Sequence, residues 1–215
     1  MVRIVLIGLY IACELIANVT ASKPIQLGWI VVPAAIFIYT LTFTLIDLIN
    51  ESFGKEGARK VILTAFIANL LLAGYVQLAV ILPPASFYAG QEAFSGVLGN
   101  TPRIVFASLT AYLISSLIDA EIFAFWKAHV QGHRWTRVLV SNAISTGVDS
   151  VIFITLAFYG TMPVWILIKG QYVIKIAITL LSLPLIYLIK SSGKFGANSS
   201  ALVGIPYSGE PGRPI

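Results

Sequence analysis

The sequence predicts an all-α integral membrane protein, a bundle of six transmembrane helices, and three observations carry that expectation. The 215 residues are 58% hydrophobic and only 11% charged, with a mean hydropathy of +0.89. A water-soluble domain carries about 25% charged residues. The apolar residues fall into runs that reach the roughly 20 residues a spanning helix needs. None of these runs alternates with period two, which removes the closed barrel and leaves the helix as the lipid-exposed backbone that satisfies its own hydrogen bonds.

Taken in chain order, the first run is Val2–Ala21, interrupted by Glu14 and Asn18. Its Val-Thr-Ala-Ser end offers small residues of the kind a signal peptidase cuts, but Glu14 stands where a signal core is uniformly apolar. A retained span is expected. The second run, Trp29–Ile49, leads into Asp47, Asn50 and Glu51, and the third, Val61–Leu82, stops at Pro83-Pro84. A loop rich in Gly, Ser and aromatics occupies 84–101. The fourth to sixth runs are Pro102–Trp126, Arg137–Tyr159 and Pro163–Ile189. Residues 1–190 are therefore expected to form one transmembrane domain. The Gly-, Ser- and Pro-rich segment 191–215 lacks apolar periodicity and reads as a flexible tail.

Alternating spans would gather Arg3, Lys55, Arg59, Lys60, Lys127, Arg134, Arg137, Lys190, Lys194 and Arg213 on one side, ten of the 14 basic residues. Cytoplasmic loops carry the excess of Lys and Arg. Both termini are therefore expected in the cytoplasm of a multi-pass cell-membrane protein. The net charge of +5 is accounted for by this asymmetry and does not call for nucleic acid. The single cysteine, Cys13, excludes an intrachain disulfide and a cysteine-based metal cluster. No phosphate-binding loop, zinc spacing or nucleophile elbow is present, and neither cofactor nor metal is expected.

The chemistry is sought where polarity is expensive, because an ionisable group at mid-membrane costs at least about 2.5–3.5 kcal/mol. Glu14 and Asn18 are four apart on one face of the first helix, and Gln171 and Lys175 are four apart on the sixth. With Asp149 near the middle of the fifth helix, these residues are expected to meet at one depth. Asn142 and Ser145 sit lower on the fifth helix; Asp119 lies in the cytoplasmic third of the fourth. Asp47, Asn50 and Glu51 make an i, i+3, i+4 set that reads either as part of a binding site or as a helix end meeting water. Glu14, Asn18, Asp47, Asn50, Glu51, Asp119, Asn142, Asp149, Gln171 and Lys175 are the candidate binding residues. Ser115-x-x-x-Asp119 recurs as Ser145-x-x-x-Asp149, a short match of the kind an inverted repeat leaves in transporters.

Several segments resemble one family in order: Ile16-Ala-Asn-Val-Thr-Ala-Ser-Lys23; Thr42-Phe-Thr-Leu-Ile-Asp-Leu-Ile-Asn-Glu-Ser-Phe-Gly-Lys55; Arg103 with Ala107-Ser108 and Ala111-Tyr112; Ser115 to Asp119; Ser145 to Ser150; and Gln171-Tyr172 with Lys175 and Pro184. Together they resemble the putative vitamin uptake transporter family of queuosine-precursor transporters. That resemblance implies a six-helix carrier importing 7-deazaguanine bases, with a fold similar to the substrate-binding components of energy-coupling-factor transporters. The chain departs from the family pattern at Ser116 and at Thr146-Gly147, where the family carries Ser-Gln before the aspartate.

The residues also suit such a ligand on their own terms. A guanine-like edge presents two adjacent donors and a carbonyl, which a carboxylate and a Lys, Asn or Gln complement. Tyr39, Phe43, Tyr112 and Tyr172 offer ring faces. The expected partners are a nucleobase-like small molecule and membrane lipid, with no nucleic acid. Three functions compete. One is a self-sufficient transporter. Another is the binding subunit of a multi-component transporter with an ATPase and scaffold, or a homo-oligomer, packed through small residues such as Gly8 and Ala12. The last is an intramembrane aspartyl enzyme using Asp119 and Asp149.

Overall fold

The computed structural model describes residues 2–129 and 134–191; within them, the side chains of Asp47, Glu51 and Lys55, among others, lie outside the described residues. The chain separates into two compact units, 1–176 and 177–215, and the cavities and polar residues described below belong to the first. The helices are α1 (Val2–Thr20), α2 (Ile36–Ile81), α3 (Gln91–Leu98), α4 (Thr101–His129), α5 (Arg134–Phe158) and α6 (Val164–Ser191). Between α1 and α2 lies an antiparallel hairpin, β1 (Pro24–Leu27) and β2 (Ile30–Pro33).

Among the described residues, four helical stretches are long and apolar enough to cross a membrane: Arg3–Thr20, Glu56–Ile81, Gln91–Asp119 and Val140–Phe158. Less than a third of each is buried, and Ile4, Leu71, Tyr75 and Phe106 stand on the outside. This is an exterior built for an apolar solvent. Ile36–Asn50 is a shorter apolar helix.

The second expected span is corrected at its start. Residues 30–33 form strand β2, and the helix begins only at Ile36. Ile30-Val31-Val32 is β-branched, and the two-residue turn Gly28-Trp29, with Gly28 at φ 62°, reverses the chain. An apolar run alone does not separate a buried strand from the start of a helix. The expected loop 84–101 also contains a helix, α3, whose Gln91 side chain donates to the Val80 carbonyl at 3.0 Å. That bond occupies one of the carbonyls left open where Pro83 ends α2.

Helix α2 is 46 residues long but is interrupted at Gly54, whose backbone is not helical (φ 71°, ψ 176°). Ile49 and Phe53 before the break share a packed cluster with Ala58, Val61 and Ala65 after it. The two arms therefore fold back beside each other, as two spans separated by a turn would. Positive φ with ψ near 180° is open almost solely to glycine, and forcing another residue there costs about 1–3 kcal/mol. A β-carbon at Gly54 meets no atom within 4 Å, so any penalty comes from the backbone alone. Gly54→Ala is expected to lower stability by about that amount, read as a fall in the unfolding midpoint of the purified protein. An unchanged midpoint would show that the break survives without glycine.

Two packed clusters lie at opposite ends of the bundle. Near the hairpin, Ala17, Ala21, Ala35, Ala107 and Ala157 let backbones approach around Ile104, Ile154 and Leu167. Around the Gly54 break, Tyr10 joins both arms of α2. At the hairpin end, Arg103 on α4 donates to the Leu156 and Tyr159 carbonyls, each at 2.7 Å. It caps the carboxyl end of α5, where the helix dipole favours a cation.

Candidate functional site

Between the two clusters lies a partly open cavity. Each wall owes its polar residue to a helix position that points inward. From α1 come Glu14 and Asn18, one turn apart; from α5, Asp149 and Phe153; from α6, Gln171 and Lys175; from α2, Ile36 and Tyr39; from α4, Ser108. Pro33 closes the hairpin side. The structure thus brings Glu14, Asn18, Asp149, Gln171 and Lys175 to one void, at the common depth expected from their spacing.

Asp149 and Lys175 form an ion pair, with side chains 14% and 7% exposed. A charge desolvated to this degree needs a close counter-charge, and each supplies the other's. The Lys175 ammonium also lies 4.9 Å from the centre of the Tyr39 ring, a cation–π contact. Glu14 has the Thr42 hydroxyl and the Lys175 charge as polar neighbours. Asn18 donates to the Asn69 side-chain carbonyl at 2.7 Å, and Asn69 donates in turn to the Ala65 carbonyl at 3.0 Å. This ties α1 to the second arm of α2. Gln171, 4% exposed, makes no side-chain hydrogen bond among the described residues, so its donors and acceptor are available to the cavity.

The hairpin and α6 meet with unusual closeness. A β-carbon placed on Gly170 would stand 2.1 Å from the Val31 carbonyl oxygen. Glycine at 170 therefore lets β2 seat directly against α6, immediately before Gln171. On the next helix, Gly147 faces the edge of the Tyr172 ring, which is where that aromatic goes in place of the cavity.

The remaining candidates sit elsewhere. Asp119 accepts from Ser145 at 3.1 Å, joining α4 to α5; neither it nor Asn142 lines the cavity. Ser145 and Asp149 are one turn apart on α5, so the recurring Ser-x-x-x-Asp pattern links α4 to α5 through Asp119 and α5 to α6 through Asp149. Asp119 and Asp149 thus have different partners, Ser145 and Lys175. Shared-proton chemistry requires two carboxyl groups in hydrogen-bond reach of each other. Asn50 is exposed, while the side chains of Asp47 and Glu51 lie outside the described residues. Asn69, Thr42 and Ser108 were not among the sequence candidates. Asn69 carried a usable signal, being a lone amide inside the apolar run Val61–Leu82.

A family model described as "Putative vitamin uptake transporter" matches residues 33–189. A Bacillus subtilis (strain 168) protein named "Probable queuosine precursor transporter" is 31% identical over 179 residues, covering 81% of this chain and 78% of that protein. A Haemophilus influenzae protein of the same name is 28% identical over 124 residues, 56% of this chain and 51% of that protein. No solved structure matches the chain.

Proposed function

Because the chain belongs to the family described as "Putative vitamin uptake transporter", we propose that it is a membrane transporter that takes up queuosine precursors. Its ligand is a 7-deazaguanine base bound in the cavity between α1, α5 and α6. The observation that carries this reading is the convergence of Glu14, Asn18, Gln171 and the Asp149–Lys175 pair on one void.

A guanine-like edge offers two adjacent N–H donors and a carbonyl. Glu14 can accept from both donors, and Gln171 can donate to the carbonyl. Phe153 and Tyr39 supply the apolar surface that a flat ring requires, and base–aromatic contact contributes about 1–3 kcal/mol. Desolvation makes each polar contact worth more than it is in water and penalises any ligand that leaves one unmade. The site thereby selects a planar heterocycle with a matching polar edge.

In the membrane, the two arms of α2 count as separate crossings and α6 as the last, giving six. The ten-to-four partition of the 14 basic residues supports cytoplasmic termini. Under that orientation the hairpin faces outward, with Trp29, 82% exposed at its tip, at the headgroup level where tryptophan is enriched. A short sheet is tolerated there because its open edge meets water and protein.

A second reading keeps the same site but makes the chain the binding subunit of a larger transporter. It draws on Gly8 and Ala12, both exposed on one face of α1, where a partner helix could pack closely. Vesicles containing only this purified chain separate the two. Accumulation of radiolabelled 7-deazaguanine under an imposed proton or sodium gradient is the expected result. Binding without accumulation would replace the self-sufficient transporter with the subunit, and absence of binding would remove the proposed substrate.

A further inference from the structure

A second cavity adjoins the first and shares with it Glu14, Tyr39 and Ser108. The two voids are displaced from each other in the same sense on every helix that lines both. On α1 the first cavity touches positions from Glu14 to Ala21, and the second those from Tyr10 to Glu14. On the first arm of α2 the first reaches up to Tyr39, and the second runs from Tyr39 to Ile46. On α4 the second extends from Ser108 to Tyr112. Helix α1 runs toward the hairpin, whereas α2 starts beside it and α4 starts in the same packed cluster. The voids are therefore stacked along the bundle, offset by four to seven residues, roughly 6–10 Å at the helical rise.

Their chemistries differ. The first void holds the Asp149–Lys175 pair and the Asn18 and Gln171 amides; the second has rings and aliphatic walls, with Phe66 and Tyr112 edge to face at 5.4 Å. Glu14 is the charged residue common to both. Tyr39 stands between them, with the Lys175 ammonium 4.9 Å from its ring and the Phe43 ring centre 5.1 Å away, nearly perpendicular. One residue from each of α1, α2 and α4 thus makes the partition.

We propose that the second cavity is a transit station for the same planar heterocycle, and that Glu14, Tyr39 and Ser108 form the internal gate between binding and release. This rests on the transporter reading above. A ligand passing the gate exchanges the ion pair and amides for ring faces while its donors stay within reach of Glu14. It leaves the polar station without becoming fully unpaired, and meets a weaker site from which to depart. Conduction needs such a gradient, since binding must be strong enough to admit and weak enough to release. Rotation of the Tyr39 ring, drawn one way by Lys175 and the other by Phe43, is the movement that opens the passage.

Leu109 and Ile62 line the second cavity and not the first, so a bulky side chain at either blocks transit without touching the binding residues. Leu109→Trp is expected to bind radiolabelled 7-deazaguanine within about threefold of the unsubstituted chain while uptake into vesicles falls at least about tenfold. Ile62→Trp, from the facing helix, gives the same split, and Leu109→Ala preserves both readouts. Uptake at the unsubstituted rate in a stably inserted Trp variant overturns the proposal. So does a loss of binding that parallels the loss of uptake, since the two voids would then be one site. Absence of uptake by the unsubstituted chain itself is a different outcome, which removes the transporter reading and this station with it.

Discussion

Lys175→Ala is expected to abolish both binding and uptake of 7-deazaguanine, and to destabilise the protein at the same time. The reason is the burial of the Asp149–Lys175 pair. Removing one member of a buried pair strands the other charge in a low-dielectric interior and costs about 3–5 kcal/mol. Asp149→Asn removes the carboxylate that pairs with Lys175, and a fall in the unfolding midpoint is expected there too. Loss of activity in these single variants would not by itself separate a binding role from a scaffolding one.

The double variant Asp149→Leu/Lys175→Met does separate them. Replacing both charges with apolar groups of similar size is often neutral or better for stability. Its midpoint is expected to return close to that of the unsubstituted protein, a recovery that a double-mutant cycle expresses as coupling. Binding and uptake are expected to stay lost, because the charged part of the cavity wall beside Glu14 and Gln171 is gone. If the double variant folds and transports normally, the pair serves only to join α5 to α6, and Glu14 and Gln171 hold the ligand without it.

Gly170→Ala carries the next largest effect. The added methyl would lie 2.1 Å from the Val31 carbonyl oxygen and 2.9 Å from the Ile30 side chain. A side-chain tip could rotate away, but the carbonyl belongs to the paired backbone of β2, where Val31 is opposite Gln26. The hairpin as a whole must therefore withdraw from α6, an overpacking penalty of about 1–3 kcal/mol. Pro33 on that hairpin and Gln171 beside the glycine both line the cavity, so binding should weaken along with stability. Gly8→Ala is the natural control, since a β-carbon there meets nothing within 4 Å and alanine favours the helix. Equal midpoints and equal uptake for the two alanine variants would show that the hairpin contact does not position the site.

Much of the candidate site was legible before the fold because hydrocarbon makes polarity conspicuous. Glu14 and Asn18 on α1, and Gln171 and Lys175 on α6, are each one helical turn apart, and helical spacing alone puts such pairs on one face. Asp149 stood out as a carboxylate in mid-span. The same logic applied to Asn69 would have found the partner of Asn18. Asp119 and Asn142 were equally conspicuous, yet they lie on a different level of the bundle, and distance along one helix does not tell which neighbour it faces.

Composition, run length and the lack of period-two alternation by themselves determined that this chain is helical and lives in lipid, because once the closed barrel is removed only the helix satisfies its own backbone hydrogen bonds there. Tertiary structure alone decided the rest. It turned Ile30–Pro33 into a strand, since a β-branched run takes whichever partner its neighbours supply, and it seated that strand on Gly170. It also set the Asp149 carboxylate on Lys175 and the Asp119 carboxylate on Ser145. Which side chains meet depends on how helices rotate about their axes as they pack, and that rotation is fixed by contacts between distant parts of the chain.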